Sequence, residues 1–292
     1  MRSLLFVPGD SARKLEKSLQ AGADALIIDL EDSVALSEKD AARRTTAAFV
    51  NEARRAANRP RLFVRVNALS TGLTDADLDG VMPSAPDGIM LPKAIGGKDV
   101  AHLGAKLAVR EAEYGLEDGG TRIVAIATET ARSLFVLGSF AGASHRLSGL
   151  AWGAEDLSAD IGAEANRDAE GLFTEPFRLA RNLMLFAAAA AEIDAVDTVF
   201  TNFRDLDGLA RECREAQRDG FVAKLAIHPA QVPVINEAFT PSPEAQAQAR
   251  AIVEAFAQNP GAGVVGLNGE MIDQPHLKRS ERLLGRLDPR RG

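Results

Sequence analysis

Carboxylate side chains follow several short apolar runs of the sequence, at positions suited to binding a cation. Glu129 comes directly after the fifth such run, and Asp156 follows the sixth. If these runs are neighbouring parallel strands about 4.8 Å apart, the two carboxylates can reach a common point. Two carboxylates, with water and substrate oxygens, are a usual way of holding Mg²⁺, whereas zinc favours His or Cys. The pattern predicts a site for Mg²⁺, with Mn²⁺ as second choice; the alternative is a structural ion pair between Glu129 and Arg65 or Arg132.

Further charged residues lie at or just after the ends of the second and third runs. Arg65 carries the planar fork that suits a substrate carboxylate, and its alternative role is a structural bridge to Asp29 or Glu31. We expect Asp29, Glu31 and Asp32 to bind metal-bound water or to orient Arg65 rather than to ligate the metal directly. Glu31 and Asp32 therefore join Arg65 as candidate catalytic residues.

Basic residues near the first predicted helix are candidates for binding a phosphorylated ligand. Arg13 and Lys14 follow Ser11 at the start of this helix, where they can meet the phosphates of such a ligand. The alternative, a solvated helical face, is favoured by the pattern alone. The roles of Lys93, which follows the fourth run, and of His228, which ends the eighth, stay open.

Eight apolar runs alternate with helical segments and must position these side chains. The runs are residues 3–7, 25–29, 62–67, 88–92, 122–128, 147–152, 197–201 and 222–228. Their nearly continuous apolar character predicts strands buried on both faces, as in a parallel sheet. Eight strand–helix units in about 250 residues predict an α/β fold, the (β/α)8 TIM barrel, whose functional residues lie at the carboxyl ends of the strands. The competing open, doubly wound sheet lacks the Gly-x-Gly-x-x-Gly loop after its first strand.

The residues after the eighth run predict a C-terminal helical extension. We place the barrel at residues 1–230 and the extension at residues 231–292. A helical segment follows Pro241-Ser242-Pro243, and Leu277, Leu283 and Leu284 indicate an amphipathic helix near the end. This helix has too little apolar content to fold alone, so we expect it to dock on another surface.

Composition excludes several classes of protein. The 34 Lys and Arg residues against 41 Asp and Glu give a net charge of −7, which disfavours a broad nucleic-acid-binding surface. The single cysteine excludes an internal disulfide and fits a reducing compartment. No apolar segment approaches the roughly 20 residues of a membrane span, and the N-terminal apolar run is too short for a secretory signal. We therefore expect a cytoplasmic protein with no nucleic-acid or membrane partner.

Several motifs together resemble those of the citrate lyase β-subunit-like proteins, in the HpcH/HpaI aldolase superfamily with the malyl-CoA and citramalyl-CoA lyases. They run along nearly the whole chain in the expected order. The motifs are SLLFVPGD, ALIIDLEDSV, FVRVN, GIMLPKA, IATETARSLF, GLAWGAEDLSADIG, KLAIHPAQ and GEMIDQPHLKRSERLL.

This resemblance implies a Mg²⁺-dependent lyase or synthase that acts on a 3-hydroxyacyl-CoA thioester and yields acetyl-CoA and a 2-oxo acid. By match, Glu129 and Asp156 hold the metal, and Glu129 also contacts the substrate. Arg65 binds the substrate carboxylate or oxo group, and Asp273 is the acid/base. The residues alone favour a turn or helix N-cap for Asp273, before Pro275. The resemblance also implies a homotrimer or hexamer whose C-terminal segment covers a neighbour's active site.

Four functions remain open at this stage. The chain is either a freestanding citramalyl-CoA or malyl-CoA lyase or the β subunit of a citrate lyase complex that acts on a citryl group on an acyl carrier protein. A malyl-CoA thioesterase or synthase uses the same groups, because metal and carboxylate also activate water. A non-catalytic barrel that binds acyl-CoA is disfavoured by the acidic residues at the strand ends.

Overall fold

Eight parallel strands form a closed barrel in chain order in the computed structural model, which describes residues 1–285 and 287. The predicted (β/α)8 barrel is therefore confirmed. Every strand but the first has five residues or fewer, and most of their residues are buried on both faces, as the apolar runs indicated. The strands are β1 Ser3–Pro8, β2 Ala25–Asp29, β3 Arg61–Arg65, β4 Gly88–Leu91, β5 Arg122–Ile126, β6 Leu147–Ala151, β7 Asp194–Asp197 and β8 Ala223–Ala226.

Helices connect the strands, and local sequence signals set several of their ends. Asp205 caps the helix that precedes β8 by accepting a hydrogen bond from the Gly208 backbone at 2.8 Å, and Pro176 lies in the first turn of the helix before β7. The helices of the barrel are α1 Ala12–Ser18, α2 Lys39–Ala53, α3 Thr74–Val81, α4 Gly97–Tyr114, α5 Ala131–Leu134, α6 Ala154–Ile161, α7 Glu175–Ala190, α8 Leu206–Asp219 and α9 Gln231–Phe239.

The strand alternation divides the core into two layers and places charged residues at one mouth. Ile27 and Phe63 lie in the cluster inside the barrel, and the residues two positions further on are Asp29 and Arg65. Because residues i and i+2 of a strand share a face, Asp29 and Arg65 face the same interior at the carboxyl ends of β2 and β3. The other layer of buried apolar residues lies between the strands and the helices.

The seventh strand lies earlier than predicted, at Asp194–Asp197 rather than at residues 197–201. The prediction followed the β-branched and aromatic residues after Asp197. However, strand pairing with β6 already begins at Asp194, which is opposite Gly149. Glu192 has φ of 58°, in the left-handed region, and turns the chain directly from α7 into the strand. The strand-end residue is consequently Asp197, whereas Asn202, which directly follows the predicted run, is exposed in the loop after the strand.

Asp197 belongs to a buried ionic network that the sequence did not reveal. Its carboxylate accepts hydrogen bonds from Lys224 of β8 at 2.6 Å and from the Trp152 indole at 2.7 Å, and Lys224 also contacts Glu212 of α8 at 2.8 Å. Burial alone would raise the pKa of Asp197, but the charges of Lys224 and Arg181 lower it. The network fixes β7 against β8 and α8.

Residues from Thr240 onward form a second compact unit, and α9 belongs to the first, Met1–Phe239. The predicted helices are present as α10 Pro243–Ala257 and α11 Gln274–Gly285. Between them lies an unpredicted antiparallel hairpin, β9 Val264–Leu267 and β10 Glu270–Asp273, whose turn residues Asn268 and Gly269 have φ of 53° and 82°. An Asn-Gly pair is a strong hairpin signal, so the sequence contained this information.

Within residues 1–285, no helix combines the length and the apolar character needed to span a lipid bilayer.

Candidate active site

Arg65 and Asp29 form a bidentate ion pair at the mouth of the barrel. The two residues are paired in register at the ends of β3 and β2. Arg65 Nε and Nη2 each donate to a carboxylate oxygen of Asp29 at 2.7 Å, and the guanidinium lies 4.8 Å from the centre of the Phe6 ring. Asp29 also accepts hydrogen bonds from the backbone of Glu31 and Ser33. Asp29 therefore orients Arg65, as one of the sequence alternatives predicted, and Nη1 is left facing other groups.

Glu31 and Asp32 lie on the side of Arg65 that Asp29 does not occupy. Arg65 Nη1 is 3.0 Å from Glu31 Oε2 and 3.9 Å from Asp32 Oδ2. The Glu31 contact is close but lacks hydrogen-bond alignment, so Oε2 is a buried acceptor without a hydrogen bond among the described residues. Burial raises the pKa of Glu31, although Arg65 and Lys93 oppose this shift. An acceptor of this kind is available to a substrate, a water molecule or a cation.

Lys93, whose role the sequence left open, lies among the carboxylates of Glu31, Asp32, Glu129 and Asp156. Its ammonium contacts Glu31 and lies 3.4 Å from Asp32 and 3.2 Å from Asp156. Its backbone N–H donates to the buried carboxylate of Glu129. Lys93 has φ of 52°, an uncommon value for a residue with a side chain, and this conformation accompanies both contacts. Hydrogen bonding to Glu31 and the nearby carboxylates raise the pKa of Lys93 even though burial opposes them.

Glu129 and Asp156 both contact Lys93, which agrees with the prediction that they share one region. Glu129 follows β5 and is 3% exposed, and Asp156 lies in the first turn of α6, after β6. Burial, with the charge of Asp156, raises the pKa of Glu129 to about 8. Gly153 makes room for this arrangement, because a Cβ atom there would lie 2.7 Å from Glu129 Cγ.

The donor set fits a hard divalent cation held by few protein ligands. In the part of the chain that the structure describes, no three His, Cys, Asp or Glu side chains form a metal-binding group. Glu129 and Asp156 supply only oxygen donors, and the Lys93 ammonium already lies where positive charge is favourable. The remaining positions of a Mg²⁺ ion are normally taken by water and substrate oxygens, so two carboxylates suffice.

Asp273 lies in the second unit, as the last residue of β10. Its carboxylate contacts His276 Nδ1, and the side chain is 40% exposed. The hydrogen bond with His276 lowers the pKa of Asp273. Its position immediately before α11 matches the turn or helix start that the residues alone favoured.

The remaining candidate residues make no contact with Lys93 or the carboxylates around it among the described residues. Arg13 and Lys14 are exposed on α1, as either of their predicted roles requires. His228 stacks on Phe203 with ring centres 4.8 Å apart, and its Nδ1 accepts a hydrogen bond from the Ala230 backbone. His228 is exposed, and its role stays open.

Comparisons with known proteins agree with this architecture. Residues 2–229 match the family described as HpcH/HpaI aldolase/citrate lyase. The chain is 36% identical to the citrate lyase subunit beta of Haemophilus influenzae, over 98% of this chain and 96% of that protein. It is 32% identical to the mitochondrial citramalyl-CoA lyase of Rattus norvegicus, over 97% of this chain and 85% of that protein.

A solved structure shows the same fold. The crystal structure of the protein CitE from Mycobacterium tuberculosis, in complex with magnesium, acetoacetate and coenzyme A, has a TM-score of 0.76 and 33% identity to this chain. The match covers 98% of this chain and 97% of that one. The chain therefore belongs to the HpcH/HpaI aldolase/citrate lyase family.

Proposed function

We propose that this protein is a Mg²⁺-dependent carbon–carbon lyase that cleaves a 3-hydroxyacyl-CoA thioester of the citramalyl-CoA or malyl-CoA type into acetyl-CoA and a 2-oxo acid. The observation that carries the proposal is the linked contact group at the barrel mouth: Glu129 and Asp156 both contact Lys93, which contacts Glu31, which in turn faces Arg65. The lyase names of the relatives and the magnesium, acetoacetate and coenzyme A in the CitE complex support it.

The reaction leaves negative charge on the acetyl thioester and converts the substrate hydroxyl into a ketone. Glu129 and Asp156 would hold Mg²⁺, which supplies a Lewis acid for the oxygens of the oxo-acid portion. Arg65 Nη1, directed away from Asp29, would bind the substrate carboxylate through its fixed positive charge. Glu31 Oε2, buried and without a hydrogen bond from any described residue, would accept the hydroxyl proton, and the raised pKa of Glu31 suits that role.

In cleavage, the acetyl carbanion takes up a proton from a second group, and in the reverse direction the same group removes it. The family resemblance assigns this role to Asp273, and we propose that it reaches the barrel mouth of a neighbouring subunit in a trimer or hexamer. Arg13 and Lys14, exposed on α1, would bind coenzyme A phosphates.

A substrate panel tests the proposed activity directly. Purified protein is incubated with Mg²⁺ and citramalyl-CoA, malyl-CoA and related thioesters, and the 2-oxo acid and acetyl-CoA are quantified. We expect release of both products from at least one thioester and none after addition of EDTA. Glu129→Gln and Asp156→Asn should abolish turnover, whereas Glu155→Gln, an exposed neighbour that contacts Asn166, is the matched control and should retain it. Full activity in both site variants would contradict the proposal.

A mixing experiment tests whether Asp273 serves a neighbouring barrel. Glu129→Gln and Asp273→Asn subunits, each inactive alone, are dissociated and reassembled together. If one site combines a barrel with the extension of another subunit, random mixing restores about a quarter of the sites. If Asp273 serves its own barrel, every site lacks one group and the mixture stays inactive.

A second candidate is the β subunit of a citrate lyase complex. It is favoured by the relatives named citrate lyase subunit beta, at 34–36% identity, against 32% for the citramalyl-CoA lyases. This candidate predicts rapid cleavage of citryl attached to an acyl carrier protein and slow cleavage of the CoA thioesters. Product analysis also identifies a thioesterase, because hydrolysis releases free CoA in place of acetyl-CoA.

A further inference from the structure

A cavity of about 590 Å³ lies at the opposite end of the barrel from Glu31, Glu129 and Asp156. Its lining includes Arg61 and Arg122, the first residues of β3 and β5, and Arg61 precedes Arg65 by four strand residues, or about 13 Å. Arg54 and Arg59 also line the cavity, with Asp87 as its acidic residue. Four arginines and one aspartate give this cavity positive charge in a chain whose net charge is −7.

Only part of this positive charge is neutralised by protein groups. Asp87 pairs with Arg59 through both carboxylate oxygens and accepts a further hydrogen bond from the Leu62 backbone. Burial alone would raise the pKa of Asp87, and the contact with Arg59 lowers it, so its charge is committed to that pair. The Arg54 guanidinium donates to the backbone carbonyl of Ala85.

Arg61 and Arg122 have no such partners. Within residues 1–285, no side chain forms an ion pair or a hydrogen bond with either guanidinium, and both residues are half-buried. Gly88 of β4 lies between their two strands, paired in register with Phe63 of β3 and with Arg122 of β5. Phe63 and Val124 belong to the cluster inside the barrel, and Arg61 and Arg122 lie two positions before them. Because residues i and i+2 of a strand share a face, both arginines lie on the interior face of the strands.

Two half-buried guanidiniums that share a cavity, and that no carboxylate of the described residues pairs with, repel one another and favour an anion. Their planar forks match phosphate oxygens bidentately, and the cavity volume lies within the usual range for small-ligand sites. We propose that this cavity is a second ligand site, distinct from the candidate active site, that binds a molecule with two or more linked phosphate groups through Arg61 and Arg122. Such phosphates belong either to a free di- or triphosphate compound or to the diphosphate of coenzyme A.

Calorimetric titration of the full-length protein with pyrophosphate, without divalent cations, tests the proposal. We expect saturable binding with a Kd below about 1 mM. Because charge-assisted hydrogen bonds are lost, Arg61→Gln or Arg122→Gln should weaken binding at least about tenfold, and the double variant about a hundredfold. The matched control is Arg178→Gln, an exposed arginine of α7, which should leave the affinity unchanged. Equal affinity in the double variant and the wild type, equal weakening by Arg178→Gln, or no saturable binding would overturn the proposal.

Thermal melting separates ligand binding from a structural role. Removal of two repelling charges should leave the Tm of the double variant in anion-free buffer equal to or above that of the wild type, and pyrophosphate should raise only the wild-type Tm. A lower Tm of the double variant would show that the arginines stabilise the fold, against the proposal. Titration with coenzyme A identifies the source of the phosphates: weaker binding to the double variant indicates the coenzyme, and unchanged binding indicates a free di- or triphosphate.

Discussion

Replacement of Glu129 by Gln should remove a large pH dependence from the stability of the metal-free protein. Burial and the charge of Asp156 raise the pKa of Glu129 from 4.5 to about 8 in the folded state. Between these values the folded protein binds a proton that the unfolded chain has lost, so the free energy of unfolding falls as pH rises. A shift of this size corresponds to about 5 kcal/mol at 1.36 kcal/mol per pKa unit. The contribution is fully present below pH 4.5 and is lost as pH rises through about 8.

Urea unfolding in EDTA, at pH values from 4.5 to 8.5, measures this contribution. Glu129→Gln mimics the protonated side chain, so the variant should gain up to about 5 kcal/mol over the wild type across this range. Glu113→Gln, at an exposed position of α4, is the matched control and should follow the wild-type curve. Parallel curves for the wild type and Glu129→Gln would refute the reasoning, because they would show that Glu129 is ionised throughout.

Three further substitutions probe the packing around the site and the core. Gly153→Ala places a Cβ atom 2.7 Å from Glu129 Cγ, so we expect Mg²⁺ affinity by calorimetry to fall at least about tenfold with an unchanged circular dichroism spectrum. Lys93→Met removes the ammonium 3.2 Å from Asp156, which competes with a metal ion, and should tighten Mg²⁺ binding about tenfold in the same titration. Lys224→Met removes the ammonium that lies 2.6 Å from the buried carboxylate of Asp197 and should lower the urea-derived free energy of unfolding by about 3–5 kcal/mol.

Matched variants define the outcomes that contradict these predictions. Gly138→Ala adds a methyl group where no atom lies within 4 Å, and metal affinity equal to that of Gly153→Ala would show that the contact with Glu129 is unimportant. Lys17→Met removes an exposed lysine of α1, so an equal stability loss in this variant and Lys224→Met would reject the buried network. Weaker Mg²⁺ binding by Lys93→Met would mean that Lys93 supports the metal site instead of competing for it.

The barrel was predictable because the sequence signals of its strands are strong. Buried parallel strands require continuous apolar runs, and seven of the eight runs overlap their strands closely. β7 was misplaced because it begins at the exposed Asp194 and ends at Asp197, a buried acid that depends on Lys224 from β8. Such a residue appears polar in the sequence, and only the tertiary contact shows why it is buried.

The site was predictable in composition but not in its contacts. Strand ends in a parallel barrel share one mouth, so Arg65, Glu129 and Asp156 followed from the strand assignments. The central position of Lys93 depends on a backbone φ of 52°, for which a lysine gives no sequence signal. The pairing of Arg65 with Asp29 required knowledge of the register between β2 and β3.

The central claim is that Glu129 and Asp156 together hold the metal ion, and a crystal structure of the full-length protein with Mg²⁺ and a 2-oxo acid tests it most directly. We predict an ion coordinated by one oxygen from each of these carboxylates and by the oxo acid, with Lys93 displaced and Arg65 facing the oxo-acid carboxylate. An ion bound elsewhere, or a map at saturating Mg²⁺ in which Lys93 keeps its contacts with Glu31 and Asp156, would contradict the account.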